Sequence, residues 1–123
     1  MKKILYQSIY GITFLLMGAS ASYYGLSIYN QKQAKATFFV AIQNLEKNQI
    51  DAAAALLNRA IAKDSDYYAP YHVLGNIYHQ KGNDDLALQM YKAALEKIGN
   101  DNKSSHDKLE IVKIVNQLNK EKQ

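Results

Sequence analysis

The sequence has no cysteine, no tryptophan and one proline, and only one of its 15 basic residues is an arginine, Arg59. Without cysteine the chain has no disulfide, no thiolate metal ligand and no thiol nucleophile. A domain that binds nucleic acid is expected to cluster lysine and arginine on one structured face. Here the net charge of +4 comes from lysines near the two ends of the chain. These absences exclude several enzyme classes and argue against a nucleic-acid partner.

Charge is also missing from a long stretch near the N-terminus. No acidic residue, basic residue or histidine lies between Ile4 and Gln31. The mostly apolar part from Ile9 to Ile28 would form about 30 Å of helix, which matches the hydrocarbon thickness of a bilayer. Tyrosines near both of its ends suit the two interfacial belts of a spanning helix. We therefore predict that residues 1–33 form a single-pass transmembrane anchor in contact with lipid.

The same segment also has the features of a cleaved signal peptide. Lys2 and Lys3 precede an apolar core, and small residues precede a possible cleavage site after Ala21. A helix that lies on the membrane surface is a third option. Lysines flank the apolar stretch on both sides, and we expect the N-terminus to be cytoplasmic. The MKK start and the abundance of Lys, Asn and Ile indicate a bacterial origin, which would place the C-terminal domain in the periplasm, beyond the inner membrane.

Small residues form a stripe along the predicted membrane helix. Gly11, Gly18 and Gly25 recur at seven-residue spacing, and Ser22 lies on the same side of the helix. Small residues of this kind let two membrane helices approach closely. The stripe predicts packing against another membrane helix, unless the glycines only reflect the higher glycine content of such helices.

A repeat motif occupies the middle of the chain. The run Tyr71-x-x-Leu74-Gly75-x-x-Tyr78 is followed by Ala87-x-x-x-Tyr91. This resembles the tetratricopeptide repeat, a helix-turn-helix unit of about 34 residues with an aromatic residue, Leu-Gly and Tyr on its first helix and Ala followed by an aromatic residue on its second. The resemblance implies an all-α fold of stacked helix pairs.

One repeat length earlier the pattern recurs in a weaker form. The equivalent positions are Ala41 and Gly75, Asn48 and Gly82, Ala53 and Ala87, and Leu57 and Tyr91. The first unit has Thr37, Val40 and Asn44 where the second has the aromatic, Leu and Tyr of the motif. We predict two tetratricopeptide-like units over residues 34–101, with the bounds 34–67 and 68–101. Asp51 is expected to cap the helix Ala52–Lys63, and Asn83 or Asp84 to cap its counterpart.

The C-terminal part, residues 102–123, is predicted to be a loop followed by a capping helix. Apolar residues at i, i+3, i+4 and i+7 form one helical face, consisting of Ile111, Ile114, Val115 and Leu118. The other faces are charged, as a helix that closes a repeat array requires.

No helix-breaking residue separates the predicted anchor from the first repeat. No proline or glycine occurs between Gly25 and Asn48. We therefore expect one helix to run from the anchor into the first repeat, the alternative being a short non-helical joint near residues 30–33.

Candidates for chemistry are few. His72 and His79 would lie about 10.5 Å apart along one helix, too far to share a metal ion. The acidic pairs flank helix ends, where capping explains them, and no phosphate-binding or HExxH motif is present. We expect no enzyme activity, no metal, no cofactor and no small-molecule substrate.

The resemblance also implies a binding surface, because the first helix of each tetratricopeptide repeat lines a concave face that holds partner segments. In this chain that face would contain Phe38, Ile42 and Leu45 from the first unit and His72, Asn76 and His79 from the second. It carries no Lys or Arg, so a hydrophobic helix or strand suits it better than an acidic peptide. The alternative is that the three residues of the first unit only complete the core.

These expectations converge on non-catalytic protein–protein interaction. We predict a membrane-anchored tetratricopeptide scaffold that acts as a small accessory subunit or assembly factor and binds other subunits, mainly integral membrane proteins. The alternatives are a secreted periplasmic adaptor or carrier released after Ala21, and an import receptor anchored on an organelle surface with its groove in the cytosol.

Overall fold

The computed structural model describes the backbone of residues 2–99 and 105–121, and within these ranges the side chains from position 13 onward. The described residues form five α-helices and no strand, which confirms the all-α prediction. The helices are α1 (Lys2–Glu46), α2 (Ile50–Lys63), α3 (Tyr68–Gln80), α4 (Asp84–Ile98) and α5 (Ser105–Glu121). Residues 100–104, where the predicted loop falls, lie outside the described part.

The helices are arranged as two hairpins followed by a single helix. The first hairpin is α1 with α2, and the second is α3 with α4. The hairpins meet where α2 packs on α3, and α5 packs on α4 in the same relation. Because the main contacts between the described helices join each unit to its neighbours, this is the packing order of a stacked helical repeat. The predicted tetratricopeptide-like fold is confirmed.

Helix α1 is continuous through the predicted junction between anchor and domain. It runs without interruption from Lys2 to Glu46, so the predicted continuity is confirmed and a non-helical joint near residues 30–33 is ruled out. The boundary predicted at residue 33 lies inside this helix.

Among the described residues, no helix combines the length and the hydropathy that a membrane span requires, and the predicted anchor is not confirmed.

The turns of the two hairpins have the same backbone structure. Asn48 and Gly82, which are equivalent in the repeat, both have positive φ, at 57° and 74°. In each turn the next amide donates to the carbonyl five residues earlier, at 2.8 Å for Gln49 and 2.9 Å for Asn83. This is the bond of a Schellman C-cap, which favours glycine or asparagine in the left-handed region. The sequence alignment of the two units is therefore matched residue by residue in the turns.

The second helices of the two hairpins start differently. Asn83 caps α4 as predicted, because its Oδ1 accepts a hydrogen bond from the backbone N–H of Leu86 at 3.2 Å. In α2 the N-cap is Gln49, whose side chain makes no capping bond, and the prediction that Asp51 caps this helix is wrong. The helix begins earlier because Ile50 packs against the first hydrophobic core, which is the buried cluster of Ala41, Leu57, Leu74 and Ile77. Asp51 instead accepts a hydrogen bond from Lys81 Nζ at 2.7 Å.

Each hairpin is closed by one small and one large residue at its crossing point. In the second, Gly75 lies so close to the Tyr91 ring that a Cβ at this position would be 2.5 Å from Tyr91 Cε1. In the first, the equivalent residues are Ala41 and Leu57, which are fully buried in one cluster. The small residue lets the helices approach and the large one fills the space between them.

Helix α5 covers the end of the array. It buries Ile111, Val115 and Leu118 against α4, with Ile114 half-buried beside them. The Tyr68 hydroxyl donates to Asp107 Oδ2 at 2.6 Å and ties α5 to α3 as well. The exposed positions of α5 are mainly polar, apart from Leu109. These contacts confirm the predicted capping helix.

Candidate functional site

Two grooves flank α3 on the face formed by the first helices of the repeat. The first groove, between α1 and α3, has a volume of about 380 Å³ and is lined by Ile42, Leu45, Asn48, Ile50, Val73, Asn76, Ile77 and Gln80. The second groove, between α3 and α5, has a volume of about 230 Å³ and is lined by Asn76, His79, Gln80, Tyr91, Ile114, Gln117 and Leu118. Helix α3 thus forms a ridge with a groove on either side.

The first groove has aliphatic walls and an uncharged rim. Ile42 and Leu45 come from α1, and Val73 and Ile77 face them from α3. Its polar lining residues are all carboxamides, and no lining residue carries a formal charge. Burying a charged group in such a groove without a partner would be costly. The first groove therefore suits an apolar, uncharged ligand segment.

Asn76 lies on the ridge and borders both grooves. Its Oδ1 accepts a hydrogen bond from the Tyr91 hydroxyl at 2.7 Å. Burial raises the pKa of Tyr91 to about 12, and the carboxylates of Glu110 and Asp84 act in the same direction. The phenol therefore stays protonated near neutral pH and donates to the Asn76 oxygen, which fixes the direction of the amide.

His79 belongs to the second groove only. Its Nδ1 lies 2.7 Å from Asp84 Oδ1, an exposed pair that links the end of α3 to the start of α4. Across the described ranges, no three His, Asp or Glu side chains are grouped closely enough to hold a metal ion.

His72 lines neither groove, although the sequence places it on the predicted face. Its ring lies 6.1 Å from the Tyr91 ring, and its buried Nε2 has no hydrogen-bond partner in the described structure. Burial lowers the pKa of His72, and the carboxylates of Glu110 and Asp107 on α5 oppose that effect. The side chain is a neutral packing residue between α3 and its neighbours.

Phe38 is also turned away from the first groove. Its ring packs edge-to-face on Tyr67, with centroids 5.4 Å apart, and against the first hydrophobic core. Leu45 packs against the first hydrophobic core and also lines the first groove. Of the six residues predicted for the binding face, Ile42, Leu45 and Asn76 therefore meet in the first groove, and Asn76 and His79 in the second.

Several lining residues were not predicted. Val73 and Gln80 each lie one helical turn from Asn76, so their spacing could have revealed them, whereas Ile77 is one turn from Val73 and from none of the residues chosen on α3. The other residues of the second groove come from α4 and α5, namely Tyr91, Ile114, Gln117 and Leu118. Their place in the groove depends on how these helices pack on α3, and the spacing of residues within one helix does not predict that packing.

The predicted small-residue stripe lies on the part of α1 that extends beyond the hairpins. Nothing lies within 4 Å of a Cβ built on Gly18 or Gly25, and Ser22 is exposed. Gly11 lies outside the residues whose surroundings are described. The described part of the stripe, from Gly18 to Gly25, is therefore open to solvent in the isolated chain, and its predicted packing remains a prediction.

The fold of this chain is similar to that of solved helical-repeat structures. A crystal structure of a tetratricopeptide repeat domain protein from Salinibacter ruber superimposes with a TM-score of 0.63 at 21% identity, covering 70% of this chain and 94% of that one. The crystal structure of MamA gives a TM-score of 0.48 at 25% identity, over 72% of this chain and 58% of that one. The first comparison shows the same fold.

A sequence relative was found in Haemophilus influenzae, an uncharacterized protein that is 30% identical over 80 residues. The match covers 65% of this chain but 45% of that protein, so the chain spans less than half of the relative's length.

The family model of the tetratricopeptide repeat matches residues 44–106, which is more than half of the chain. The match begins on α1 and ends in α5, so it includes both turns and the whole second hairpin. Tetratricopeptide domains mediate interactions between proteins, and they are typically non-catalytic scaffolds. The chain belongs to the tetratricopeptide repeat family.

Proposed function

We propose that this protein is a membrane-anchored tetratricopeptide scaffold that binds a segment of a partner protein in the first groove. It would serve as a small accessory subunit or assembly factor of a membrane protein complex. The observation that carries the binding role is the uncharged aliphatic groove between Ile42 and Leu45 on α1 and Val73 and Ile77 on α3.

The proposed anchor is the N-terminal part of α1. Four consecutive apolar side chains there, Phe14 to Met17, are between 65% and 82% exposed. Exposed apolar surface of this size marks an interaction with lipid or protein. In the proposed arrangement this part of α1 is embedded in the bacterial inner membrane and the hairpins lie in the periplasm. Gly18, Ser22 and Gly25 would face a helix of an integral membrane partner.

The experiment is the isolation of the tagged full-length protein from its native membranes in a mild detergent, with every co-isolated protein identified by mass spectrometry. Ile42→Glu places a charge in the first groove and should remove the partner, because an unpaired buried carboxylate is costly. Gln43→Glu adds the same charge at an exposed position of the same helix and should retain the partner.

The outcomes separate the proposal from its rivals. If Ile42→Glu abolishes partner recovery while its circular dichroism matches that of the wild type, the groove is the binding site. If the variant unfolds, Ile42 belongs to the core, and if the partner is retained, binding occurs elsewhere. The intact mass of the isolated protein shows whether the N-terminal segment is retained as an anchor. A chain that begins at Ser22 would be the secreted adaptor.

A further inference from the structure

A further cavity lies where the N-terminal part of α1 meets the hairpins. It has a volume of about 260 Å³ and lies between α1 and the segment where α2 ends and turns toward α3. We call it the junction pocket. Its lining shares no residue with the two grooves beside α3. Its polar lining residues include Ser27, Asn30 and Gln31 from α1, and Lys63, Asp64 and Ser65 from the end of α2 and the turn.

The fold itself does not use the hydrogen-bond donors of the junction pocket. The side chains of Asn30, Gln31 and Lys63 make no hydrogen bond or ion pair with any described residue. Asn30 and Lys63 are nevertheless half-buried. Polar groups held away from bulk water gain from a partner that satisfies them. An oxyanion could accept hydrogen bonds from the lysine ammonium and from both carboxamides.

The pocket also contains a negative charge beside the positive one. Asp64 lines it next to Lys63, but no ion pair joins these two described side chains. The Asp64 Oδ1 accepts a hydrogen bond from the backbone N–H of Asp66 at 3.2 Å, and its other oxygen is open to a ligand. Asp64 is also the C-cap of α2, where the last carbonyls of the helix attract cations. The pocket therefore suits a ligand that carries an anion and a cation together.

Apolar and polar lining residues are separated along α1. Tyr23 and Leu26 line the end nearer the N-terminus and are exposed, whereas Asn30 and Gln31 line the other end. Further toward the N-terminus the exposed apolar surface continues through residues 14–17. A ligand that covers this whole surface needs an apolar tail and a charged head. The predicted membrane stretch ends at position 28, so the junction pocket would lie at the level of the lipid headgroups.

We propose that the junction pocket binds the headgroup of a zwitterionic phospholipid with a primary amine, the chemistry of phosphatidylethanolamine. Lys63 pairs with the phosphate, and the amides of Asn30 and Gln31 donate to it. The ammonium lies beside Asp64, and the acyl chains follow α1 past Leu26. This inference rests on the proposed function, because it requires the N-terminal part of α1 to lie in a membrane.

The charges of the pocket discriminate between common headgroups. The primary ammonium of phosphatidylethanolamine has N–H donors for the Asp64 carboxylate, which makes a charge-assisted hydrogen bond. Phosphatidylcholine carries a cation without any N–H donor. Phosphatidylglycerol has no cation, so its phosphate would leave Asp64 unpaired beside an anion. We therefore expect the pocket to prefer phosphatidylethanolamine to both.

The test measures lipid binding to the full-length protein in a nonionic detergent by native mass spectrometry. The three phospholipids carry identical acyl chains and are titrated separately. Phosphatidylethanolamine should bind about tenfold more tightly than the other two, which is the effect of one charge-assisted hydrogen bond. Glycerophosphoethanolamine at the same concentration should not displace it, because this soluble headgroup lacks the acyl chains.

A first pair of variants tests the contact with the phosphate. Lys63→Gln removes the cation and should weaken the binding of phosphatidylethanolamine about tenfold. Lys35→Gln removes an exposed lysine of α1 that does not line the pocket, and it should leave the affinity unchanged. The pair separates a headgroup site from the general attraction of lysines to a lipid surface.

A second pair tests the contact with the ammonium. Asp64→Asn keeps the Oδ1 acceptor that the turn uses but removes the negative charge, so it should abolish the preference for phosphatidylethanolamine over phosphatidylcholine. Asp66→Asn makes the same change in the same turn, outside the pocket, and should keep the preference. The ion pair of Asp66 with Lys97 is exposed on the aspartate side and contributes little to stability.

Four results would overturn the inference. These are equal affinity for the three lipids, no effect of Lys63→Gln, an equal loss with Lys35→Gln, and retention of the preference in Asp64→Asn. Displacement of the lipid by glycerophosphoethanolamine would show that the pocket takes a soluble ligand, and it would overturn the lipid assignment too.

Failure of this inference can be distinguished from failure of the proposed function. If the lipid preference is absent but the full-length chain is retained in the membrane with its partner, only the junction pocket is rejected. A mature chain that begins at Ser22 would reject the anchor and the lipid site together. Binding in the first groove is judged separately, by partner recovery with Ile42→Glu.

Discussion

The two hairpins have the same turn geometry but different side chains where their helices cross. At the crossing point the second pairs Gly75 with Tyr91, and the first pairs Ala41 with Leu57. A large ring is matched by a residue with no side chain, and a smaller aliphatic group is matched by a methyl. The crossing thus depends on the pair of residues together, because a close-packed interior must be filled without overlap.

This difference explains why the first unit resembles the family less than the second although both fold alike. Its turn uses Asn48 where the second uses Gly82, and both residues tolerate the left-handed conformation. The departures are therefore alternative solutions to the same steric problem. Each of the following predictions converts one hairpin toward the other.

The largest effect is expected from Gly75→Ala. The new Cβ would lie 2.5 Å from Tyr91 Cε1, and Tyr91 is 1% exposed, so the ring has little room to move. Overpacking of this kind costs about 1–3 kcal/mol, of which the better helix propensity of alanine offsets up to about 1 kcal/mol. Chemical unfolding followed by circular dichroism would measure the loss of stability.

A double-mutant cycle makes this prediction specific. In a Tyr91→Leu background, Gly75→Ala recreates the pair found in the first hairpin and should cost little, giving a coupling energy of about 0.5–3 kcal/mol. Gly25→Ala is the control, because nothing lies near its added methyl group. Equal costs of Gly75→Ala in both backgrounds would show that Tyr91 is not the obstacle.

A smaller effect is expected at the helix N-caps. Gln49 and Asn83 have nearly the same backbone angles, with φ of −93° and −98° and ψ of 66° and 73°, but only Asn83 makes a side-chain cap. Gln49→Asn should therefore stabilise the protein, and Asn83→Ala should destabilise it, each by about 1 kcal/mol. Gln49→Ala serves as the control and should change the thermal midpoint little. Destabilisation by Gln49→Asn would contradict the equivalence of the two caps.

The third prediction concerns His72, which stands where the first hairpin has Phe38. Burial lowers the pKa of His72 below its ordinary value of 6.5. The unfolded chain then binds the proton more readily than the folded one, so this site contributes stability above about pH 6.5 that is lost as the pH falls through the lowered pKa. His72→Phe should reduce the loss of thermal stability between about pH 7 and about pH 5.

The control for this prediction is His106→Phe, since the His106 side chain is 90% exposed. That variant should keep the pH dependence of the wild type. If His72→Phe and His106→Phe have the same pH profile, burial of the His72 ring does not control stability in this range.

Helix positions, repeat register and turn chemistry could be predicted from the sequence because each depends on one segment or on a fixed offset between segments. The glycine and asparagine at the turns and the apolar face around Ile111 are examples. Which side chains line a groove depends on how helices cross. Phe38 turns toward Tyr67 and His72 toward Tyr91 because those rings arrive from other elements, and helical spacing alone assigned both to the open face.

The error at Asp51 has a related cause. Capping preference is a local signal, but the start of α2 is set by Ile50, which gains more from packing into the first core than Asp51 would gain from a cap. Tertiary burial therefore decided a boundary that the local sequence left open.

The uninterrupted course of α1 has a mechanical consequence. The 45 residues of this helix form one continuous rod about 68 Å long. Because an α-helix turns about 100° per residue, each residue has a fixed direction around the helix axis. Gly25 and Ile42 lie about 100° apart around its axis. Torque applied to the N-terminal half is therefore transmitted to the groove, and the direction in which one end is held sets the direction in which the other end faces.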